Sequence, residues 1–252
     1  MKIQKVFVFL LFSALLSACA GNARNSASGG NEAAEINMRL GLNYMQRGDY
    51  AFALEKLEKA LQQDPNLPSA HNTIAILYQR LGEEEKAEHH FKKAVSLAPG
   101  YSEAQNNYGA FLCQQQQYEQ AEERFLIAVE NPLYQSVAQA YENAGLCAMQ
   151  EPDVKKAENY FRRALQIEPT LSKSLLQMAE LSYQQQNYLQ ARGYMQRFHD
   201  ASTWTARALL LGIKIENKLG DEDAVASYIL ILRSRFPDSD EMQLVNQGVE
   251  NL

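Results

Sequence analysis

The sequence predicts an all-α fold, a right-handed superhelical solenoid built from about six helix-turn-helix repeats. The main observation is self-similarity, because small residues recur with spacings of 34, 34, 36 and 34 at Gly41, Ala75, Gly109, Gly145 and Ala179. A second series of small residues runs in step with them at Ala53, Ala87, Ala121, Ala157 and Ala191. Small residues at both places let the two helices of a unit approach closely. Prolines close most units, since proline cannot continue a helix, at Pro65, Pro99, Pro169 and Pro237.

This pattern resembles the tetratricopeptide repeat, a helix-turn-helix unit of 34 residues. On that pattern the units lie at 34–67, 68–101, 102–137, 138–171, 172–205 and 206–239. The third unit has two extra residues near its end, so we expect a longer connection there. The last two units are degenerate, which is typical of the ends of a repeat array. Residues 240–252 are expected to add a capping helix or turn.

The N-terminal segment 1–18 reads as a lipoprotein signal peptide rather than as part of the fold. Lys2 and Lys5 precede an apolar run over 6–16, which is too short to span a bilayer stably. The run ends in small residues followed by Cys19, a pattern that resembles the bacterial lipobox. The resemblance implies that the cysteine sulfur carries a diacylglyceryl group. An ordinary signal peptide with a chance cysteine is the alternative.

A polar segment follows the lipidation site. Residues 19–33 are small, polar and without hydrophobic periodicity, which predicts a flexible tether of roughly 20 Å between anchor and repeats. By resemblance to Gram-negative lipoproteins, Ala20 after the cysteine implies sorting to the outer membrane, on its periplasmic side. Acyl chains contribute about 0.8 kcal/mol per buried methylene, so three chains would anchor the protein permanently.

Composition and motifs exclude several classes of function. A net charge of −6 lacks the basic stripe of a nucleic-acid-binding protein. The sequence contains no GxSxG, phosphate loop, HExxH or CxxC. The adjacent pair His89 and His90 points about 100° apart on a helix, so it cannot chelate a metal as an i, i+4 pair would. We therefore expect no enzyme, cofactor, metal site, nucleic acid or small-molecule substrate.

Two further cysteines lie in the first helices of adjacent units. Cys113 is at position 12 of the third unit and Cys147 at position 10 of the fourth. First helices of adjacent units stack side by side. The two cysteines differ by two repeat positions, which rotates one side chain by about half a turn of the helix relative to the other. The two side chains are therefore predicted to face each other, and a disulfide is plausible in an oxidising periplasm. Two buried free thiols remain the alternative.

The first helices of such an array usually line a concave groove. Apolar side chains beside amides suit an extended or helical peptide, because pockets take its side chains and the amides bind its backbone. The alternative is that some of these residues only pack against the tether or cap the array. The predicted partner-binding groove consists of Met38, Leu42, Met45, Gln46, Asn72, Ile76, Gln79, Arg80 and Asn106.

The amino-acid sequences of the repeats resemble one family in particular. The segments are RLGLNYMQRGDYAFALEKLEKAL, HNTIAILYQRLGEEEKAEHHFKKAVSLAP, NNYGAFLC and ENAGLCAMQ. Together with the lipobox cysteine and the six units, they resemble the type IV pilus biogenesis and stability lipoproteins, the PilF/PilW group of pilotins. The resemblance implies a monomeric scaffold that binds the pilus secretin and promotes its outer-membrane localisation and multimerisation. Through the secretin such a scaffold supports twitching motility.

Two other classes of function stay open at this stage. One is a generic outer-membrane assembly adaptor, of the barrel-assembly or murein-hydrolase-scaffold kind, built from the same repeat. The other is an enzyme with a site that no sequence motif reveals. A pilus secretin in a pull-down would favour the pilotin, and a barrel-insertion or murein enzyme would favour the adaptor.

Overall fold

The computed structural model describes the backbone of residues 23–151 and 153–248, with side chains described from residue 32 onward. Over these residues the chain forms helices and no strands, which confirms the all-α fold class. The helices are α1 Ala23–Gln46, α2 Tyr50–Gln63, α3 Pro68–Arg80, α4 Glu84–Leu97, α5 Ser102–Gln114, α6 Tyr118–Glu130, α7 Val137–Ala148, α8 Val154–Ile167, α9 Ser172–Gln184, α10 Tyr188–Ala201, α11 Ala206–Leu219, α12 Glu222–Arg235 and α13 Asp240–Asn246.

The helices divide into two compact units between Pro99 and Gly100. In the first unit α1 packs on α2, α3 on α4, and α2 on α3. In the second unit the pairs are α5 with α6, α7 with α8, α9 with α10, and α11 with α12. Neighbouring pairs there are joined by α6 on α7, α8 on α9, and α10 on α11. Each helix therefore pairs with a sequence neighbour, as expected of helix-turn-helix repeats.

The close approach of the two helices in a pair explains the small residues of the repeat. A Cβ added at Gly145 would lie 2.7 Å from the ring of Phe161, and one at Gly109 would lie 2.8 Å from the ring of Phe125. Gly41 faces Leu57 in the same way, at 2.5 Å. The large partners are fully buried. A large residue on the second helix thus fills the space that the small residue on the first helix leaves open.

The turns within the pairs share one backbone conformation. Gly48 and Gly82 have φ values of +83° and +75°, a region that glycine adopts without steric cost. Gln116 and Gln186 occupy the corresponding turns with φ values of 60° and 62°. Glutamine accepts this left-handed conformation at some cost, because its Cβ crowds the following carbonyl oxygen. The Gln-rich stretches are therefore turns between paired helices.

The N-terminal helix differs from the sequence prediction. The helix α1 begins at Ala23, so residues 23–33 are helical where a flexible tether was expected. That stretch continues directly into the packed part of α1, where Ala34 is fully buried, and a helix propagates more easily than it starts. The predicted signal peptide and Cys19 lie outside the described residues. The connection over 131–136 is longer than the four-residue connections 98–101 and 168–171, at the place where the sequence has its two extra residues.

Candidate partner-binding surfaces

Three equivalent positions of the first helices are buried wherever a repeat precedes them in the same compact unit. In α3 these positions hold Ala70, Ile74 and Leu77, all buried, and α3 packs on α2. In the second unit α7, α9 and α11 pack on α6, α8 and α10. The same positions are buried there too, at Ala140, Ala144, Cys147, Ser174, Met178, Leu181, Ala208, Gly212 and Ile215. In the first unit the covering residues come from α2, since Leu57 shares a core cluster with Ile74 and Leu77, and Ala60 shares one with Ala70.

No repeat precedes α1 among the described residues, and the three equivalent positions of α1 are exposed. Ile36 is 51% exposed and Leu40 is 41% exposed. The third position holds Asn43, which is also exposed. Two large apolar side chains thus face solvent at places that other repeats bury.

Aromatic side chains extend this apolar surface along the same helix. Tyr44 follows Leu40 by four residues, which puts the two side chains on neighbouring parts of one helix face. The ring of Tyr44 lies 5.5 Å from the ring of Phe52 on α2, and Phe52 is 57% exposed. We call the surface formed by Ile36, Leu40, Asn43, Tyr44 and Phe52 the N-terminal edge. The sequence analysis did not predict this surface, although Ile36 and Leu40 occupy repeat positions that a preceding repeat would normally cover.

The predicted groove residues of α1 lie on a different face. Met38 and Leu42 are half-buried and pack against the core cluster formed around Leu57 and Ile74. Met45 belongs to that cluster and is 3% exposed. Its side chain therefore serves the core and offers little surface to a partner. At 100° per residue, Met38 and Leu42 lie far around the helix from the N-terminal edge.

The remaining groove residues of the first unit are mixed in exposure. Gln46 and Arg80 are exposed, and Ile76 and Gln79 are half-buried. Asn72 is buried, at 2% exposure. A partner lying along this face would meet mainly Leu42, Gln46, Ile76, Gln79 and Arg80.

The last predicted groove residue lies in the second unit. Asn106 on α5 is half-buried and accepts a hydrogen bond from the amide of Asn143 on α7, over 3.1 Å. This bond ties two neighbouring first helices together. It also fixes the orientation of the Asn106 amide, whose Nδ2 points away from the shared bond as a donor.

The structure brings the two predicted cysteines together. The Cα atoms of Cys113 on α5 and Cys147 on α7 are 5.8 Å apart, and their sulfur atoms lie at bonding distance. Both side chains are buried. The position argument from the repeat therefore identified the correct pair of facing residues.

A polar cluster between α6 and α8 is the strongest arrangement of titratable groups in the second unit. The Glu122 carboxylate accepts hydrogen bonds from the hydroxyl of Tyr160 and, over 3.0 Å, from the ammonium of Lys156. The hydrogen bond to Glu122 raises the pKa of Lys156, and burial raises the pKa of Tyr160. Both donors therefore stay protonated at neutral pH. The cluster is an ion-pair network that joins two helices.

Two further classes of site were sought among the described residues. No group of three or more histidine, cysteine or acidic side chains there is arranged to hold a metal ion. None of the helices in the described part of the chain combines the length and apolar character that crossing a membrane requires.

The paired helices and their small-to-large contacts define a tetratricopeptide-repeat protein. Family models described as "TPR repeat" and "Tetratricopeptide repeat" match residues 41–82, 68–101, 90–123 and 112–171. Together these matches span most of the first four predicted units. The class of protein that the sequence predicted is therefore confirmed.

Comparison with individual proteins narrows the class. The chain is 34% identical over 246 residues to "Type IV pilus assembly protein PilF" of Pseudomonas aeruginosa, covering 96% of this chain and 98% of that protein. A solved structure of Pseudomonas aeruginosa PilF matches with a TM-score of 0.81 and 35% identity, covering 87% of this chain and 99% of the other. The crystal structure of PilW, described as a widely conserved type IV pilus biogenesis factor, matches with a TM-score of 0.77 and 31% identity, covering 85% and 99%. The chain belongs to this PilF/PilW family of type IV pilus biogenesis proteins.

Proposed function

We propose that this protein is an outer-membrane lipoprotein scaffold, a pilotin, that binds the type IV pilus secretin and promotes its outer-membrane localisation and multimerisation. The observation that carries the proposal is full-length similarity to PilF, which includes the repeats and the N-terminal segment alike. The mechanism is scaffolding without covalent chemistry. A lipid on Cys19 supplies the location, and a rigid helical array supplies the grip on the partner chain.

The N-terminal edge is our preferred contact for the secretin. Exposed large apolar side chains that form one contiguous patch mark interaction sites on soluble proteins. The second helices of the repeats indicate the shape of the occupant, because they are what covers these positions elsewhere. On α2 a large side chain is followed three residues later by alanine: Leu57 packs in one cluster with Ile74 and Leu77, and Ala60 in one with Ala70. We therefore expect an amphipathic helical segment of the secretin with a large and a small residue at i and i+3.

The function is tested by deleting the gene and scoring twitching motility and heat-resistant secretin multimers. The expected result is loss of both, with secretin monomers left in the envelope. Unchanged multimers in the deletion strain would defeat the proposal. A pull-down distinguishes the alternative, since a barrel-insertion or murein enzyme in place of the secretin would indicate a generic assembly adaptor.

The contact is tested by placing one charge on each candidate face. Leu40→Glu should cut secretin binding at least tenfold, because burying an unpaired carboxylate in an apolar contact is costly. Leu42→Glu probes the predicted groove in the same helix, and Leu189→Glu, at a residue 73% exposed in the second unit, is the matched control. All three variants should keep wild-type helicity. If only Leu42→Glu weakens binding, the groove and not the N-terminal edge makes the contact.

The anchor is tested by replacing Cys19 with alanine. The variant should leave the outer-membrane fraction and appear as a soluble periplasmic protein, because the lipid is its proposed attachment. Retention of Cys19→Ala in the outer membrane would show that another part of the chain holds it there.

A further inference from the structure

Two histidines of the first unit make direct contact through their rings. The Nδ1 atom of His71 on α3 lies 2.8 Å from the Nδ1 atom of His90 on α4. The Nε2 atom of His71 lies 3.0 Å from the carbonyl oxygen of Pro65, in the connection between α2 and α3. His71 is buried and His90 is half-buried. The pair therefore joins α3, α4 and the preceding connection at one point.

The neighbouring groups fix the positions of the protons. A carbonyl oxygen only accepts, so His71 must carry its proton on Nε2 and donate it to Pro65. Its Nδ1 is then an acceptor, and the hydrogen between the two rings must belong to His90. Neutral His90 therefore carries its proton on Nδ1 and leaves Nε2 bare. Only this combination of tautomers satisfies both contacts.

The surroundings of the pair favour neutral rings. The ring of Tyr78 stacks on His90 at a centroid distance of 5.6 Å, and the ring of His89 meets it edge-on at 5.2 Å. Burial is the main cause that lowers the pKa of His71. The hydrogen bond to the Pro65 carbonyl and the charge of Asp64 oppose this shift, whereas Lys93 and His89 add to it. Other charged groups around Tyr78 are Glu58, Glu83 and Lys86.

Adding protons to this pair breaks its geometry. Burial, together with the neighbouring imidazoles of His71 and His89, lowers the pKa of His90 to about 4. When both rings are protonated, two N–H groups face each other over 2.8 Å and the hydrogen bond between α3 and α4 is lost. Because the pKa of His90 is lower in the folded chain than its ordinary value of about 6.5, the fold bears no penalty above pH ~6.5. The penalty grows as the pH falls towards 4.

We propose that His71 and His90 form an acid-sensitive latch, which fixes α3 against α4 at neutral pH and releases the second repeat when the rings take up protons. The latch lies in the same compact unit as the N-terminal edge. The described part of the second unit has no such histidine pair, because its histidine, His199, stacks on Trp204 at a ring distance of 4.8 Å. The latch stands independently of the secretin proposal, since its tests use this chain alone.

The latch is tested by urea unfolding of the full chain in mild detergent between pH 7.5 and 4.5. The folding equilibrium constant of the wild-type chain should fall by about tenfold between pH 6.5 and 5 beyond the change seen in His90→Phe, as expected from linkage to a lowered pKa. Phenylalanine keeps the stacking on Tyr78 but cannot titrate. His199→Gln is the matched control and should retain the wild-type pH dependence. Identical pH profiles for wild type and His90→Phe would overturn the proposal.

Nitrogen-15 spectra of histidine-labelled wild-type chain give a second test that needs no ring substitution. At pH 7.5 His71 should show a protonated Nε2 and a bare Nδ1, and His90 should show the reverse. On acidification His90 should titrate well below the ordinary histidine pKa of about 6.5. If His71 and His90 instead share one tautomer, or if His90 titrates near that ordinary value, the latch does not exist.

Discussion

Loss of the link between Cys113 and Cys147 should destabilise the second unit by an amount that the chain length predicts. A crosslink stabilises the fold mainly by restricting the unfolded chain, and the effect grows with the enclosed loop. Here the two cysteines are 34 residues apart. The chain-entropy relation for such a loop gives about 4 kcal/mol, and engineered and natural links commonly deliver ~2–4 kcal/mol.

The assay compares urea unfolding with and without a phosphine reductant, at constant pH and protein concentration. The wild-type transition should move to lower urea on reduction. The double variant Cys113→Ala, Cys147→Ala should unfold at low urea in both conditions, so its insensitivity to the reductant is the control. A disulfide between these cysteines would tie α5 to α7. Circular dichroism follows the unfolding of the chain through its helical signal.

Thiol labelling decides whether the link forms at all. Both side chains are buried, so the label must be added to unfolded chain, before and after reduction. A disulfide predicts that Cys113 and Cys147 react only after reduction. Two reactive thiols in the unfolded, unreduced chain, with an unfolding midpoint that ignores the reductant, would refute the reasoning.

Two further predictions concern packing and buried charge. Gly145→Ala should lower the free energy of unfolding by about 1–3 kcal/mol, because its Cβ would lie 2.7 Å from the ring of Phe161. Gly193→Ala, where nothing lies within 4 Å, should instead raise it by about 0.5–1 kcal/mol in the same urea titration; a loss at both sites would contradict the packing argument. Glu216→Gln should cost about 1–3 kcal/mol, because the buried Glu216 carboxylate pairs with Arg192. Glu35→Gln, in an exposed pair, should change little, and equal effects of the two changes would show that burial of the pair is irrelevant.

The repeat period made most of the fold predictable. Gly145 and Phe161 illustrate why, because a small residue on the first helix leaves space that a large residue on the second helix fills. The small and the large position recur together along the sequence, so the repeat reveals the helix pair. The same period also predicts that Cys113 and Cys147 face each other on neighbouring first helices. Local signals were weaker at the N-terminus. Residues 23–33 contain glycine and serine, which suggested a tether, but the packed part of α1 that follows them supports a helix.

The candidate site was harder to predict than the fold. Met45 was expected in the groove from its repeat position, yet it lies about 40° from Gly41 around the helix and so faces α2 with the core. Position in a repeat indicates which face a residue occupies only on average. Whether a large side chain at the margin of that face is buried depends on the partners across the helix pair. Leu42 and Gln46, further around α1, do keep exposed surface.

The two ends of the described array are treated differently, and this contrast supports the N-terminal edge as a contact surface. At the C-terminal end α13 packs on α11 and α12 and buries Met242 and Val245, so the chain closes that end with its own residues. An array without such a closing helix needs a polar outer face to remain soluble. At the N-terminal edge only Asn43 is polar among the three equivalent positions, and the next repeat has Leu77 in its place. The other two positions hold Ile36 and Leu40, which are apolar and exposed. Two apolar residues retained at an open end are explained if a partner helix covers them, and the charge placed by Leu40→Glu addresses that explanation directly.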